Sequence, residues 1–429
     1  MEKRETVLSE EINQKRTAAN AVVFDKISSS RPMLTGVAPA LEVVPGMTPN
    51  TILTSGAPLD WTEYAGGQRR SIINAAIYEG LAADESQAIS KLDSGEITVS
   101  TTQEHNCIGS VAGIYTASMP VLIVKDAEHG NSAFCNLYEG KSRYRLNYGA
   151  YNTEVYEGLK WLEHTLGPVL SDALTINGPI DLVPLMARAL RLGDELHSRN
   201  TAGTLLFERE LTGSLFALAQ RDKDYAVIQE VLDFFDANDY TFLRISMAAA
   251  KATADAAHGV EYSSVLTGMA INCREFAIRV SGLGDEWFRG VFPELEGRFF
   301  EGFTAADAEW IGGESCVTET IGLGGFAQAC APTLMDYQGG TYQAMLDNNL
   351  AMYEITVGEN RNYQIPALDF RGTPTGIDLF KVLQSDVTPV IDGGLAGKEG
   401  GQIGAGVLRT NRDVFVEAAN RYLTHYESK

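Results

Sequence analysis

Val121-Leu122-Ile123-Val124 is a short, uninterrupted apolar run rich in β-branched residues. Such a run marks a strand covered on both faces, since a strand with a wet side would alternate. Ser132 to Tyr138 lies close enough downstream to pair with it, and Ile97 to Ser100 has the same β-branched character. Before these strands come two predicted helices, Ala65 to Leu81 with Ile72, Ile73, Ala76 and Ile77 on one side, and Ser86 to Leu92. Pro32, Pro39, Pro45, Pro49 and Pro58 punctuate a preceding stretch of short strands and turns, and Thr6 to Val23 suits a terminal helix or arm that docks onto a neighbour. Residues 1–150 therefore read as one α/β layer domain.

The pattern changes at Glu154. From there to His258 the helical period dominates, over Leu182 to His197, Thr201 to Leu218, Asp224 to Phe235 and Leu243 to Ala257. In the last of these, Met247-Ala248-Ala249-Ala250-Lys251-Ala252 is a run of small residues that lets another backbone come close. Strands return where Phe276, Ile278 and Val280 alternate with Ala277 and Arg279. The expected fold is mixed α/β, with two α/β domains, 1–150 and 261–429, and a mainly helical domain, 151–260, between them. A chain of 429 residues accommodates this at roughly 100 to 200 residues per domain.

Acidic residues outnumber basic ones 56 to 34, for a net charge of −22. Long-range repulsion then opposes a polyphosphate backbone or an anionic bilayer, so neither nucleic acid nor membrane is an expected partner. A few arginines can still focus a field on a small anion inside an acidic shell. The five cysteines, Cys107, Cys135, Cys273, Cys316 and Cys330, are widely spaced and lack a CxxC pair, which argues against a disulfide framework or structural zinc. With no signal-like apolar core near the start, the expected location is the cytoplasm.

Three polar stretches carry the candidate chemistry. The first is Gly193-Asp194-Glu195-Leu196-His197-Ser198-Arg199-Asn200, directly after an apolar helix. On a continuing helix Glu195 and Arg199 share one face, as do Asp194 and His197. That arrangement would set a general acid or base, Glu195 or His197, beside the anion binders Arg199 and Asn200; the alternative is a solvated helix end. The second runs from Gly313 to Ala327, where Glu314 and Glu319 flank a short β-prone run and Gly322, Gly324 and Gly325 could bare amides to an anion. The spacing is neither that of a dinucleotide fold nor of a P-loop, and tight turning is the competing explanation. The third, Thr388 to Gly406, is an apolar strand opening into a glycine loop that contains Gly401, Gln402, Gly404 and Gly406. It reads as a ligand-binding exit or a mobile lid, against a plain surface loop.

Arg274, Arg279 and Arg371 lie in or near strands, where a guanidinium can clamp a carboxylate or phosphate; each could equally be a surface ion-pair partner. His105 and Asn106 suit loop hydrogen bonding. No HExxH, HxH or His/Cys spacing supports a metal, no cofactor is called for, and there is no GxSxG elbow. The candidate proton carriers are thus Glu195, His197, Glu314 and Glu319. The candidate substrate or phosphate binders are Arg199, Asn200, Arg274, Arg279, Gly322, Gly324, Gly325, Gly401, Gln402, Gly404 and Gly406.

Four blocks together, Gly193 to Asn200 (GDELHSRN), Arg279 to Phe288 (RVSGLGDEWF), Thr318 to Ala331 (TETIGLGGFAQACA) and Thr388 to Gly406 (TPVIDGGLAGKEGGQIGAG), resemble the bacterial YlbE-like, or AllG-like, family. The resemblance spreads over most of the chain, with little from its first 60 or so residues. It implies α/β domains joined to a small helical domain and a subunit of an oxamate carbamoyltransferase, which interconverts oxalurate plus phosphate with oxamate plus carbamoyl phosphate in purine and allantoin nitrogen catabolism. It implies partner chains as well: an FdrA-like protein that looks like an acyl-CoA synthetase, and an AllH-like chain; a homodimer is open too. The Ser-x-Arg-Thr and His-Pro-x-Gln segments of ordinary carbamoyltransferases are absent. A noncatalytic scaffold or metabolite-binding subunit, and a standalone amidohydrolase built on Glu314 and Glu319, are the alternative readings.

Overall fold

The computed structural model describes residues 8–222 and 224–427. Its first sheet has five strands in the order Cys107–Ile108, Ser132–Asn136, Pro120–Asp126, Pro32–Pro39, Ile180–Asp181. The run that suggested a buried strand sits at its centre: Val121 lies opposite Asn136 and Val124 opposite Ala133, antiparallel, while Pro32–Pro39 pairs along the other edge. Val121 and Val124 are fully buried, as a strand covered on both faces requires.

One covering layer is the helix Thr241–Ala256, which packs on Pro120–Asp126, Ser132–Asn136 and Cys107–Ile108 and also touches the short helix Val317–Thr320. All its residues but Asp255 are buried. The run of small residues permits this, because Ala248, Ala249, Ala250 and Ala252 leave room for neighbouring backbones on every side. A helix buried all round is the hub of the molecule, and its one arginine, Arg244, is buried with it.

The remaining strands form smaller antiparallel units. Leu266–Ile271, Phe276–Val280 and Trp287–Gly290 make one three-stranded sheet; Val390–Ala396 and Gln402–Arg409 form a hairpin extended by Glu294–Phe299. Thr356–Ile365 pairs with Arg371–Ile377, and Thr51–Thr54 runs parallel to Thr98–Thr101. All five residues of Phe276–Val280 are buried, Arg279 included. The C-terminal helix Asp413–Tyr426 closes the core formed by that sheet. The result is the mixed α/β architecture expected from the sequence.

The expected terminal helix is Glu10–Ser29, capped by the Ser9 side chain; the predicted start at Thr6 lies outside the described residues. It docks onto its own chain: Asn20 Nδ2 and Arg16 Nη1 reach Asp378 Oδ2 at 2.6 and 2.7 Å. All five cysteines are free. Among the described residues no helix is long and apolar enough to cross a membrane.

Candidate functional site

The helix Leu182–Arg191 stops short of the first polar block, because Gly193 takes φ +104° and Leu196 φ +71°. The block is consequently a folded connection and not a further helical turn, which corrects the expectation that Glu195 and Arg199, or Asp194 and His197, share a helix face. Its organising centre is the Glu195 carboxylate. Fully buried, it accepts the backbone N–H groups of His197 (2.7 Å), Ser198 and Arg199 (3.1 Å), which offset part of the cost of burial, although burial and then Asp392 still hold the carboxyl well above its ordinary value. Asp194 Oδ2 accepts from the Gly203 N–H at 2.7 Å, in the first turn of the helix Thr201–Asp222. Asn200 Nδ2 donates to the His197 carbonyl at 2.9 Å, and Arg199 Nε to the Gly193 carbonyl at 3.0 Å. Four of the block's polar side chains thus hold the connection in shape.

Glu319 ties the three blocks together. It sits on the helical turn Val317–Thr320, where the sequence suggested a β-prone run; the Ser315 carbonyl instead accepts the Thr318 hydroxyl at 2.8 Å and closes the turn. Glu319 Oε1 accepts from His197 Nδ1 (2.7 Å), from the Gly325 N–H (3.0 Å) and from the Asp392 N–H (3.1 Å), while Oε2 lies 2.8 Å from the Thr318 hydroxyl. The glycines that follow permit this approach. A Cβ on Gly324 would overlap the Glu319 carboxylate, one on Gly322 would overlap the hydroxyls of Thr375 and Thr373, and one on Gly325 would overlap the Val390 carbonyl. Gly324 donates to the Glu195 carbonyl at 2.8 Å. These amides are spent on protein carboxylate and carbonyl oxygens, so Gly322, Gly324 and Gly325 lie behind the cavity and not in its wall. Gly325→Ala is expected to destabilise the protein by about 3 kcal/mol, read as a lower urea midpoint; an unchanged midpoint would mean that the strand can retreat.

Glu314 is separately saturated. It accepts from the N–H groups of Gly56 (2.9 Å) and Gly109 (2.8 Å), from the Thr102 hydroxyl (2.6 Å) and from Gln103 Nε2 (2.9 Å). Glu314 and Glu319 therefore do not form the open carboxylate pair that an activated water needs. The third block is a β-hairpin, not an unstructured loop. Gly393 pairs with Gly406, and the tip is pinned where Gly397 donates to the Gly401 carbonyl (2.8 Å), Lys398 to that of Asp307 (2.9 Å), and Arg145 to that of Gly400 (3.1 Å). Gly401, Gly404 and Gly406 allow close backbone approach to Arg143, Arg298 and Glu296 respectively.

In front of these supports lies a cavity of about 530 Å³ into which all three blocks project: His197 and Ser198 from the first, Gly313, Ser315 and Cys316 from the second, Asp392 to Ala396 and Gln402 from the third. Arg145 and Arg244 form its basic wall, 8% and 5% exposed. Arg244 Nη1 donates to Asn136 Oδ1 at 2.8 Å; Arg145 Nη1 donates to the Tyr138 hydroxyl at 3.3 Å, and its guanidinium lies over the Tyr148 ring at 4.3 Å. Among the described residues neither has a carboxylate ion-pair partner, and the Nε of each is buried with no acceptor. Two buried guanidiniums with no ion-paired carboxylate are suited to meet an anion, since burial of an unpaired charge is costly. Tyr138, Tyr148 and Tyr240 line the cavity as well. Phe292 and Trp310, stacked with centroids 4.4 Å apart, wall another part of it.

The sequence candidates divide accordingly. His197 and Gln402 reach the cavity. Glu195, Glu319, Asn200 and the glycines support it from behind, and Arg199 and Glu314 serve the protein's own backbone. Arg274 Nε donates to the Glu63 carbonyl at 2.7 Å, and Arg279 pairs with Asp255 at 2.7 Å beside the buried Lys251, so neither lines the cavity. Arg371 pairs with Glu359, and His105 bridges the Pro45 carbonyl and the Ser100 hydroxyl. Arg145, Arg244 and Asp392 are the residues that the sequence reading passed over. Arg244 left a signal: it is a lone arginine amid Phe242, Leu243, Ile245 and Met247.

Burial alone would pull His197 down, but Glu319 against its Nδ1 and nearby Asp392 outweigh it and leave the imidazole above its ordinary value. For Asp392, burial and then the Glu319 charge push the carboxyl up to about 6, with His197, Gln328 and Gln338 pulling the other way. Among the described residues no three His, Cys, Asp or Glu side chains gather as a metal-holding group.

A family model described as oxamate carbamoyltransferase subunit AllG matches residues 97–315. The uncharacterized protein YahG of Escherichia coli K12 is 41% identical over 416 residues, which is 96% of this chain and 87% of the relative. The oxamate carbamoyltransferase subunit AllG of the same organism is 38% identical over 405 residues, 93% of this chain and 96% of the relative. The crystal structure of a conserved protein of unknown function from Enterococcus faecalis V583 superposes with a TM-score of 0.92 at 40% identity, covering 96% of this chain and 99% of that one.

Proposed function

The chain belongs to the AllG family of oxamate carbamoyltransferase subunits, and from that premise we propose that its cavity binds the small anions of carbamoyl transfer, interconverting oxalurate plus phosphate with oxamate plus carbamoyl phosphate. The carrying observation is the pair of buried, carboxylate-free arginines, Arg145 and Arg244, in a cavity of about 530 Å³. Every species on either side of that reaction carries a phosphate or a carboxylate. Guanidiniums at fixed positions would neutralise the phosphate and orient the carboxylate. A protonated His197 and the hydroxyl of Ser198 add donors for an oxygen on which charge grows as the carbamoyl carbon is attacked. The aromatic wall would keep water from a reactive carbamoyl donor.

A scaffold role predicts polar blocks on unrelated surfaces, whereas the three blocks here surround one cavity, and this supports substrate handling in this chain. Completion of the site by an FdrA-like and an AllH-like chain, a cytoplasmic location and a place in purine-derived nitrogen catabolism belong to the same proposal. The test is phosphate-dependent breakdown of oxalurate by the complex purified with its partner subunits. Oxamate and carbamoyl phosphate are expected to appear together, in equal amounts. Absence of turnover in every partner combination, together with absence of oxamate or phosphate binding, would remove the reading.

A further inference from the structure

We infer that Asp392 is the proton acceptor of the transfer step, taking a hydrogen from the amide nitrogen as it attacks the carbamoyl carbon. This rests on the transferase reading of the cavity. Asp392 stands on the strand Val390–Ala396, lines the cavity and is fully buried. Its Oδ1 is held by the side-chain amides of Gln328 and Gln338, and its backbone N–H by Glu319. Its Oδ2 is buried and without a donor among the described residues. A carboxylate fixed at one oxygen and unpartnered at the other, on a residue that borders the cavity, can take a donor from a group bound there.

The other carboxylates nearby do not qualify. Glu319 Oε1 already takes three donors and the Glu195 carboxylate another three, and neither residue lines the cavity. Glu309 does line it, but it is ion-paired with Arg70 at 2.8 Å, whereas no arginine or lysine pairs with Asp392 among the described residues. His197 is bonded through Nδ1 to Glu319, which raises the imidazole above its ordinary value and suits it to the donor's part.

In the direction of oxalurate formation the oxamate amide nitrogen forms a bond to the carbamoyl carbon. The bond from that carbon to the phosphate oxygen breaks and phosphate leaves with its electron pair. The nitrogen's proton passes to Asp392 Oδ2 and then to the departing phosphate, so that the carboxylate is restored. In reverse the same carboxyl returns a proton to nitrogen.

A pH split follows, because one group is needed ionised for turnover while its charge opposes anion binding. The charged groups facing Asp392 are Glu319, His197 and Glu195; Arg145, Arg244 and Glu309 also border the cavity. With Asp392 titrating at about 6, lowering the pH through that value is expected to decrease kcat and to tighten oxamate, whose own carboxylate stays ionised there. Asp392→Asn in the partner-containing complex should lower kcat by about 10²–10⁴-fold, bind oxamate at least as tightly as the parent, and lose the acid limb of the pH profile. Asp392→Glu, which keeps the charge, should recover part of the rate. A kcat within about threefold of the parent in Asp392→Asn overturns the inference while leaving the transferase reading intact. If the asparagine variant does not fold, the parent enzyme decides: kcat and oxamate affinity that move together below pH 6 sink it. A parent chain that binds neither oxamate nor phosphate removes both proposals.

Discussion

Replacing Arg244 by Gln is expected to weaken oxamate and phosphate binding by about 10²- to 10³-fold, with Arg145→Gln close behind. A hydrogen bond to a charged group contributes about 1.5–3 kcal/mol, and a buried guanidinium facing an anion offers two of them plus its charge. Each 1.4 kcal/mol is about tenfold in affinity. Titration calorimetry at one fixed salt concentration checks it, because long-range charge effects in a protein of net charge −22 shift with ionic strength. The control is Arg274→Gln. That side chain serves the Glu63 carbonyl, and the substitution should leave affinity within about twofold. Equal affinities for the Arg244 variant and its parent would show that anions bind elsewhere.

Glu319→Ala should be the most damaging single change to the framework, costing about 3–5 kcal/mol, the range for removing one partner from a buried charged pair. It would strand His197 Nδ1 and the N–H groups of Gly325 and Asp392 together. Glu319→Gln should cost much less. Its amide nitrogen can take the Oε2 position beside the Thr318 hydroxyl, which can turn to accept, while Oε1 keeps its three donors. In that variant His197 loses the charge that outweighs its burial, and an NMR titration should find the imidazole lowered. Urea unfolding of the Ala variant within 1 kcal/mol of the parent would mean that the three blocks hold together without this carboxylate.

Much of the architecture was legible because hydrophobic period and glycine placement are local signals. Val121 to Val124 announced a central strand, and the small residues from Met247 to Ala252 announced the buried hub. The three polar blocks stood out as well, but their convergence and their inner roles did not. Glu195, Glu319 and Glu314 have the composition of catalytic groups, yet each has its oxygens filled by the protein's own donors, some of them more than 200 residues away. Gly322, Gly324 and Gly325 resemble an anion cradle in sequence, whereas their amides and missing side chains serve close packing. Asp392 stood inside a quoted stretch and was passed over because the glycines beside it drew the reading.

By itself the sequence determined the fold class, the acidic character that disfavours polyanionic partners, and the segments from which a site would be built, since each depends on residue type and short-range order. Only the tertiary structure decided which polar groups remain free for a ligand. A carboxylate or guanidinium becomes available when its burial exceeds the supply of partners around it, and that supply is set by contacts between distant segments. Arg145, Arg244 and Asp392 border the cavity and keep buried, unpartnered atoms because the helix Thr241–Ala256, the sheet beneath it and the hairpin from Val390 meet there.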